Sequence, residues 1–294
     1  MLSYECCTLC PRACRVDRTA GQTGFCRMPG HIVAARAAAH YWEEPVISGS
    51  YGSGAVFFSG CTLGCRFCQN DVISLQGRGR EISSAHLREI FERLIDSGVQ
   101  NINLVTPAHF LPSILPALTP SLPVPVVYNC GGYESVDTLR ALDGLIDIYL
   151  PDMKYSANTL AARLSAAPDY VQTAKAAICE MYRQVGGAVI EDGIMTRGMI
   201  VRHLMLPGQL DNTLGVLDWF AETFPGGGVL FSLMSQYTPA GRMKDTPPFD
   251  RPISETEYDA ALSYLELLGI ESGFTQDFSA ASADYIPDFD GTGL

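Results

Sequence analysis

The cysteines are the residues of this chain whose type and spacing most clearly indicate chemistry. The sequence holds 10 cysteines, and eight of them lie within the first 68 positions. The opening residues, MLSYECC, lack the basic-then-apolar pattern of a secretory signal. We therefore expect a cytoplasmic protein whose thiols stay reduced. Clustered thiols in such a protein predict metal ligands before disulfides.

One cluster is a C-x3-C-x2-C motif formed by Cys61, Cys65 and Cys68. Three thiolates on one short loop can hold three irons of a [4Fe–4S] cluster and leave the fourth iron open to a non-protein ligand. A structural zinc site normally has four ligands, so these three cysteines alone would leave it incomplete. The motif predicts an iron–sulfur cluster, and the alternatives are a zinc site and three incidental thiols.

A second cluster lies near the start of the chain and consists of Cys7, Cys10, Cys14 and Cys26. A segment this small cannot bury much apolar surface, so we expect a metal to stabilise it. Four thiolates suit either a tetrahedral Zn²⁺ ion or a second iron–sulfur cluster. Unmetallated or redox-active thiols are the remaining alternative. Cys6 is spare and competes with Cys7 as a ligand.

The elements that must position these residues follow an alternating pattern from residue 55 onward. Apolar runs predict strands at 55–59, 101–105, 124–128, 146–150, 198–204 and 228–233. Helical periodicity predicts helices after Ser83 or Ser84, with Leu87, Ile90, Phe91 and Leu94 on one face, and at 135–143, 169–185, 212–224 and 254–268. Ser254 and Glu257 form a capping box for the last helix. Alternating strands and helices predict an α/β fold with a parallel sheet.

Polar side chains at the carboxyl ends of these strands are the further candidates, because catalytic groups of such folds lie there. They are Thr106 and His109 after the second strand, Asn129 and Cys130 after the third, Asp152 and Lys154 after the fourth, Arg202 in the fifth, and Gln236 after the sixth. His109 suits proton transfer or substrate binding, with a packed histidine as the alternative. Cys130 is either a core thiol or a hydrogen-atom donor. Arg202 suits a carboxylate clamp or an ion pair.

The C-x3-C-x2-C motif of Cys61, Cys65 and Cys68 resembles the signature of the radical S-adenosylmethionine (SAM) enzymes. Phe67 precedes the last cysteine, and Gln69-Asn70 follows it as in the glycyl-radical-enzyme activases of that superfamily. The patterns at 10–14 and 40–49 resemble a subgroup related to pyruvate formate-lyase activating enzyme. The resemblance implies a partial (β/α)6 TIM-like barrel over 51–275, with a small Cys-rich metal-binding segment and connector at 1–50.

The resemblance also implies the cofactors and their ligands. SAM would chelate the open iron, and an electron from the cluster would cleave it to methionine and a 5′-deoxyadenosyl radical, which removes a hydrogen atom from a substrate. Residues at activase-like positions would bind SAM: Thr106, Asn129, Asp152, Lys154, Arg202 and Gln236. Cys130 would lie near the radical. The sequence departs from the pattern at 106–109, where most members carry Gly-Gly-Glu, and at 129–132.

The composition of the chain limits the classes of partner that we expect it to bind. The formal charge of −12 opposes binding to nucleic acid or to an anionic membrane, since both require a basic surface. No window approaches the roughly 20 apolar residues of a membrane span. The resemblance implies an electron donor such as flavodoxin or ferredoxin, and a glycyl-radical enzyme as the protein substrate. The alternatives are a radical enzyme acting on a small molecule or on a peptide or protein side chain, and a non-catalytic zinc or iron–sulfur binding module.

The last residues, 276–294, alternate aromatic and acidic side chains. One interpretation is a solvated tail. The other is a strap in which Tyr285, Ile286 and Phe289 pack over the barrel or the Cys-rich segment.

Overall fold

A computed structural model describes residues 2–276 and 287–294. Within them, ten strands form one sheet: β1 (Ile32–His40), β2 (Ser53–Phe58), β3 (Arg80–Ile82), β4 (Ile102–Val105), β5 (Val126–Cys130), β6 (Ile148–Pro151), β7 (Val189–Glu191), β8 (Ile194–Leu204), β9 (Leu230–Met234) and β10 (Gly273–Thr275). The helices are α1 (Pro45–Ser48), α2 (Asp71–Ser74), α3 (Ser84–Asp96), α4 (Leu111–Ile114), α5 (Val136–Arg140), α6 (Asn158–Ser165), α7 (Tyr170–Val185), α8 (Leu210–Thr223) and α9 (Glu255–Leu267).

The sheet is mixed and follows the order β10-β9-β8-β6-β5-β4-β2-β1-β3. Its strands from β2 to β10 along this path pair in parallel, whereas β1 and β3 are antiparallel and β7 pairs antiparallel with β8. The predicted α/β class with a parallel sheet is confirmed. Parallel pairing also brings the carboxyl ends of these strands to one edge, as the site prediction requires.

The helices cover the sheet through the faces that periodicity predicted. Leu87, Ile90, Phe91 and Leu94 are the buried residues of α3, and the Ser83 hydroxyl accepts a bond from the His86 backbone N–H at its start. The capping box of Ser254 and Glu257 begins α9 as predicted. The predicted helix at 135–143 is shorter, since α5 ends at Arg140.

The other face of the parallel strands carries a smaller apolar cluster near their amino ends. Ile47 of α1 packs there with side chains from four strands, among them Val127, Ile148, Ile200 and Leu230. Side chains alternate between the faces of a strand, so the residues two positions further along β5, β8 and β9 share this face. The short helix α1 thus covers the amino ends, below the residues expected to do chemistry.

The Cys-rich segment docks on the sheet through buried polar contacts. Arg18 is 2% exposed and donates to the carbonyl oxygens of Met28 (3.1 Å), Pro29 (2.5 Å) and His109 (2.6 Å). The Tyr4 hydroxyl lies 2.9 Å from Ser113 Oγ beyond the end of β4. Residues 2–31 form no strand or helix. The contacts with His109 and Ser113 join this segment to the residues after β4, and the contacts with Met28 and Pro29 lie within the segment.

Residues 287–294 lie along β1. The Ala37 backbone N–H donates to Thr292 O (2.9 Å), that of Gly291 donates to Ala35 O (3.0 Å), and the Phe289 ring meets Phe57 edge-on at 5.5 Å. Tyr285 and Ile286, also expected in the strap, fall outside the described residues. Among the described residues, no helix combines the length and the apolar character of a membrane span.

Candidate active site

A cavity of about 430 Å³ opens at the carboxyl edge of the parallel strands. It brings together most of the residues that the sequence analysis selected, and those that line it are Cys61, Cys65, Cys68, Thr106, Asn129, Cys130, Asp152, Lys154, Arg202 and Gln236. The cysteine loop after β2 forms one wall. The strand ends supply the others, so residues up to 175 positions apart in sequence face one space.

Cys65 of the loop is buried, Cys61 and Cys68 are half-buried, and all three thiols have hydrogen-bond partners. Cys65 Sγ lies 2.9 Å from Ser165 Oγ, Cys68 Sγ lies 3.2 Å from Ser74 Oγ, and the Leu63 backbone N–H donates to Cys61 Sγ at 3.4 Å. Burial raises the pKa of all three thiols, and the neighbouring sulfurs add to it for Cys61 and Cys68, bringing the latter to about 11.

This donor set suits a [4Fe–4S] cluster. Buried thiolates are stable only beside compensating positive charge, and hydrogen bonds from N–H and O–H groups to sulfur are the contacts that tune such clusters. In residues 2–276 and 287–294, no group of three or more His, Cys, Asp and Glu side chains is arranged to hold a single metal ion. A lone zinc ion at the three thiols is therefore the poorer match, whereas a cluster carries its own sulfides and is larger than one ion.

Opposite the thiols lies a network of charged groups centred on Arg202. Its guanidinium donates to Asp152 Oδ1 (3.0 Å), Glu43 Oε2 (2.9 Å) and Asn129 Oδ1 (2.6 Å). The Lys154 ammonium donates to Asp152 Oδ2 at 2.6 Å. Burial opposes the charge of Asp152, but Lys154 and Arg202 outweigh it and lower the pKa of the carboxyl. Four side chains of the network were predicted at the site.

Glu43 and Glu44 were not predicted as site residues, although both line the cavity. Glu43 Oε1 accepts from Asn103 Nδ2 (3.1 Å) and from Asn129 Nδ2 (3.0 Å). The two glutamates precede α1, and that helix, packed at the amino ends of the strands, directs them into the interior. The pair stands at no strand end, so position in the chain gave no signal. The indications were two adjacent acids before an apolar helix and their place within the 40–49 pattern that resembles the activase-related subgroup.

Backbone strain marks the end of β4. Thr106 adopts a φ of +61° and its N–H donates to Asn129 O at 2.8 Å. A left-handed conformation is unfavourable for a β-branched residue and persists only where its surroundings impose it. Thr106 lines the cavity in this conformation. The surrounding structure, and not the backbone preference of threonine, therefore keeps this predicted site residue at the cavity.

The glycines after β5 allow close approaches within the chain itself. A Cβ on Gly132, whose φ is +76°, would lie 2.2 Å from the carbonyl oxygen of Asp152. The close approach is therefore to the chain's own backbone. A Cβ on Gly131 would lie 2.8 Å from Leu63 of the cysteine loop, so these glycines let the two sides of the site meet.

The two predicted catalytic residues lie in different places. Cys130 lines the cavity and is 3% exposed, and burial raises the pKa of its thiol well above the usual value. His109 is not among the lining residues. Its Nε2 lies 2.7 Å from Ser59 O, Nδ1 has no partner among the described residues, and burial lowers its pKa to about 4. Such a histidine is neutral and stabilises the packing of the loops after β2 and β4.

Gln236 lines the cavity beyond the end of β9, and its Oε1 accepts from Gln276 Nε2 at 3.2 Å. The Gln236 carbonyl lies 3.3 Å from Gln69 Nε2 of the cysteine loop. The neighbouring Tyr237 is buried, and its hydroxyl donates to Phe249 O at 2.7 Å.

The N-terminal cysteines gather beside this site. Cys7 and Cys10 are buried, Cys14 and Cys26 are half-buried, and Cys6 is exposed. Burial raises the pKa of Cys26, and the sulfurs of Cys7 and Cys14 add to it. The Phe25 backbone N–H donates to Cys14 Sγ at 3.3 Å. The prediction of zinc or a second cluster here stays a prediction, since the described cysteines are not grouped around a point that one ion would occupy.

Comparisons with known proteins identify the fold. No protein-family model matches the chain. An uncharacterised protein of Methanocaldococcus jannaschii is 28% identical over 279 residues, which are 91% of this chain and 76% of that protein.

Two solved structures are similar over three quarters of the chain. SuiB of Streptococcus suis, solved bound to S-adenosylmethionine, has a TM-score of 0.51 and 13% identity over 75% of this chain and 50% of its own. A radical SAM methyltransferase from Sphaerobacter thermophilus has a TM-score of 0.51 and 16% identity over 76% and 65%. The chain has the fold of these two proteins. It spans about half to two thirds of their length.

Proposed function

We propose that this chain is a radical SAM enzyme that removes a hydrogen atom from its substrate. One observation carries the proposal: the three thiols of the C-x3-C-x2-C loop share a cavity with Asn129, Asp152, Lys154 and Arg202, which come from three other parallel strands. The fold shared with a SAM-bound protein supports it.

Cys61, Cys65 and Cys68 would hold the cluster, which supplies the electron that cleaves SAM to methionine and a 5′-deoxyadenosyl radical. The protein's part is to bind, orient and exclude water. Lys154 has three N–H donors and its bond to Asp152 uses one, so the others can bind the SAM carboxylate or ribose. Because Arg202 fixes both Asp152 and Asn129, these polar groups are preorganised before SAM enters.

We also propose that the sheet curves into a partial (β/α)6 barrel. Four strands separate β2 from β9, so in a flat sheet the two would lie about 24 Å apart. Yet Gln69, in the loop after β2, donates to Thr238 Oγ1, beyond β9, at 3.0 Å. Curvature of the parallel strands accounts for this contact.

A direct test compares two cysteine variants after anaerobic reconstitution with iron, sulfide, dithionite and SAM. The wild-type chain and Cys179→Ala, which alters an exposed thiol on α7, should release 5′-deoxyadenosine. Cys65→Ala should release none and lose the brown absorbance of the motif's cluster. Absence of 5′-deoxyadenosine from a wild-type chain that binds iron would favour the non-catalytic module instead.

The site indicates the class of the substrate through its volume and its charged groups. The cavity volume lies in the range for small ligands and includes buried charge, which favours a small molecule or a polar side chain as the hydrogen-atom donor. Activation of a glycyl-radical enzyme rests on the sequence resemblance alone. Incubation with a candidate glycyl-radical protein should give a glycine-centred radical signal if that partner is correct.

The four N-terminal cysteines would bind zinc or a second cluster. Backbone N–H groups of Arg12 and Met28 lower the pKa of Cys10 and Cys26 against the larger effect of burial, and such N–H groups stabilise thiolates. Metal analysis of the Cys65→Ala variant separates the alternatives, because only the N-terminal metal would remain.

The electron donor would be an acidic redox protein such as flavodoxin or ferredoxin. A surface depression of about 360 Å³ reaches Cys61, and Arg27 and Arg242 line it. Both are exposed, and neither forms an ion pair with the described acidic residues. In a chain of charge −12, this face is where an acidic donor would meet least repulsion.

A further inference from the structure

Glu44 lines the cavity and has a carboxylate oxygen without a partner. The residue is 8% exposed, and its Oε2 is buried with no hydrogen-bond partner among the described residues. The neighbouring Glu43 differs, since both of its oxygens accept hydrogen bonds. A buried polar atom left unpaired costs free energy, so Glu44 is a site that a ligand would complete.

The charges that line the cavity do not balance. The ionisable acids are Glu43, Glu44 and Asp152, and the bases are Lys154 and Arg202. His40 also lines it, but burial lowers its pKa to about 4, so it is neutral near pH 7. The bonds of Lys154 and Arg202 described above go to Asp152, Glu43 and Asn129. Besides the thiols of the cysteine motif, the lining therefore has three carboxyl groups and two cations, and Glu44 is the carboxyl group of the three that forms no ion pair with a described residue.

Glu44 lies deep in the cavity rather than at its edge. The Ser232 hydroxyl lies close enough to Glu44 to lower the pKa of its carboxyl, and Ser232 pairs with Arg202 in the middle of β9. Two residues further, β9 ends at Met234, about 7 Å along the strand. The cysteine loop and Gln236 lie beyond the strand ends. Because Ser232, Arg202 and Asp152 pair across neighbouring strands, a group held by Glu44 would lie level with Asp152, beside the SAM-binding groups and deeper than the cysteine loop.

We propose that Glu44 binds a cationic group, an amine or a guanidinium, of the substrate that loses the hydrogen atom. This inference rests on the proposed radical SAM function. Burial raises the pKa of Glu44, the nearby Arg202 charge lowers it in part, and the adjacent Glu43 raises it; a cation in contact with Glu44 would offset the remaining effect of burial. The carboxylate would fix one end of the substrate beside the SAM-binding groups.

The test uses the full chain, reconstituted anaerobically and saturated with SAM without a reductant. Benzylamine and benzamidine are the cationic probes, with benzyl alcohol and benzamide as neutral isosteres, and ligand-observed NMR measures their affinities. We expect the cations to bind about tenfold or more tightly than the isosteres. Glu44→Gln should abolish this preference and Glu44→Asp should retain it. Glu266→Gln, which alters an exposed residue of α9, is the matched control and should retain it.

Three results would overturn the inference. They are equal affinity of cation and isostere for the wild-type chain, an unchanged preference in Glu44→Gln, and displacement of the cations when SAM is titrated into a reconstituted chain prepared without it, which would show that SAM itself occupies Glu44. Equal affinity of cation and isostere and displacement by SAM are both measured on the wild-type chain. The proposal can therefore be contradicted even if Glu44→Gln misfolds. Formation of 5′-deoxyadenosine by the wild-type chain with dithionite is measured in parallel, and its absence would contradict the proposed function without affecting the binding result.

Discussion

At the scale of single residues, the site depends on charges that compensate one another inside a nearly closed space. Asp152 shows this most clearly, since one of its oxygens binds Lys154 and the other binds Arg202. Such pairs cost desolvation and become strongly unfavourable when one partner is removed. The network is therefore a poor source of stability and a good means of holding SAM-binding groups in place.

Replacing Asp152 with Asn should destabilise the fold and impair SAM binding together. Lys154 and Arg202 would lose their shared anion, at a cost of about 2–3 kcal/mol, because the side chains retain slight exposure. Chemical denaturation and equilibrium binding of SAM measure the two effects. Asp259→Asn, on an exposed position of α9, should change neither. A fully stable Asp152→Asn chain would show that the cations are compensated elsewhere.

Glu134 makes the stability of the chain depend on pH. It is 4% exposed, and burial raises its pKa to about 8 from 4.5, despite bonds from Tyr128 and Cys130. Below pH 4.5 the carboxyl is protonated in both states. Between there and pH 8 only the folded chain keeps the proton, so the free energy of unfolding should fall by roughly 1.4 kcal/mol per pH unit.

Denaturation curves across pH 5–8 test this for the wild type and for Glu134→Gln. The variant has no titrating group at this position and should lack this component of the slope. An identical slope in both chains would assign the pH dependence to another group.

At the scale of elements, the Cys-rich segment and the sheet act as one unit because Arg18 joins them. Its guanidinium contacts carbonyls from both and stacks 4.6 Å from the Tyr4 ring. The segment has no helix or strand of its own, so its order depends on these contacts and on any metal it binds.

Arg18→Ala should release the segment while the sheet remains folded. The change leaves three carbonyl oxygens without their donor and should cost about 3 kcal/mol. Hydrogen exchange should then show faster exchange for residues 2–31 than for β4 to β6. The exposed Arg140→Ala is the control. Equal protection of the segment in both variants would show that other contacts suffice to dock it.

At the scale of the whole molecule, the chain separates two routes to its thiols. The cavity opens at the carboxyl edge, where SAM and substrate would enter, and the depression beside Arg27 and Arg242 also reaches Cys61. Electron delivery and substrate binding would then not compete for one entrance.

Arg242→Glu should slow reduction by flavodoxin about fivefold at low salt, with a smaller effect at high salt, because charged surfaces govern the association rate. Reduction by dithionite should stay close to the wild-type rate. Arg140→Glu, on exposed α5, is the matched reversal and should leave both rates unchanged. An equal loss with dithionite would mean that Arg242 acts on the cluster site itself.

The sequence by itself determined the order of the central elements and the identity of the thiol motif. Six predicted strands correspond to β2, β4, β5, β6, β8 and β9, because apolar runs and helical periodicity are local properties that burial imposes on each segment. The strand β1 was missed, since its sequence, IVAARAAAH, is rich in alanine, which is depleted in strands. Its pairing with β2 supplies the hydrogen bonds that its own side chains do not predict.

Only the tertiary structure decided which residues share the cavity. Sequence position placed Asp152, Asn129 and Arg202 at strand ends, and parallel pairing then brought them together. Sequence position did not indicate that α1 directs Glu43 and Glu44 into the interior. It also did not indicate that the His109 side chain contacts Ser59 instead of lining the cavity. These outcomes depend on contacts between residues far apart in the chain. The neighbours against which such a side chain packs determine its direction, and a local sequence pattern does not predict those neighbours.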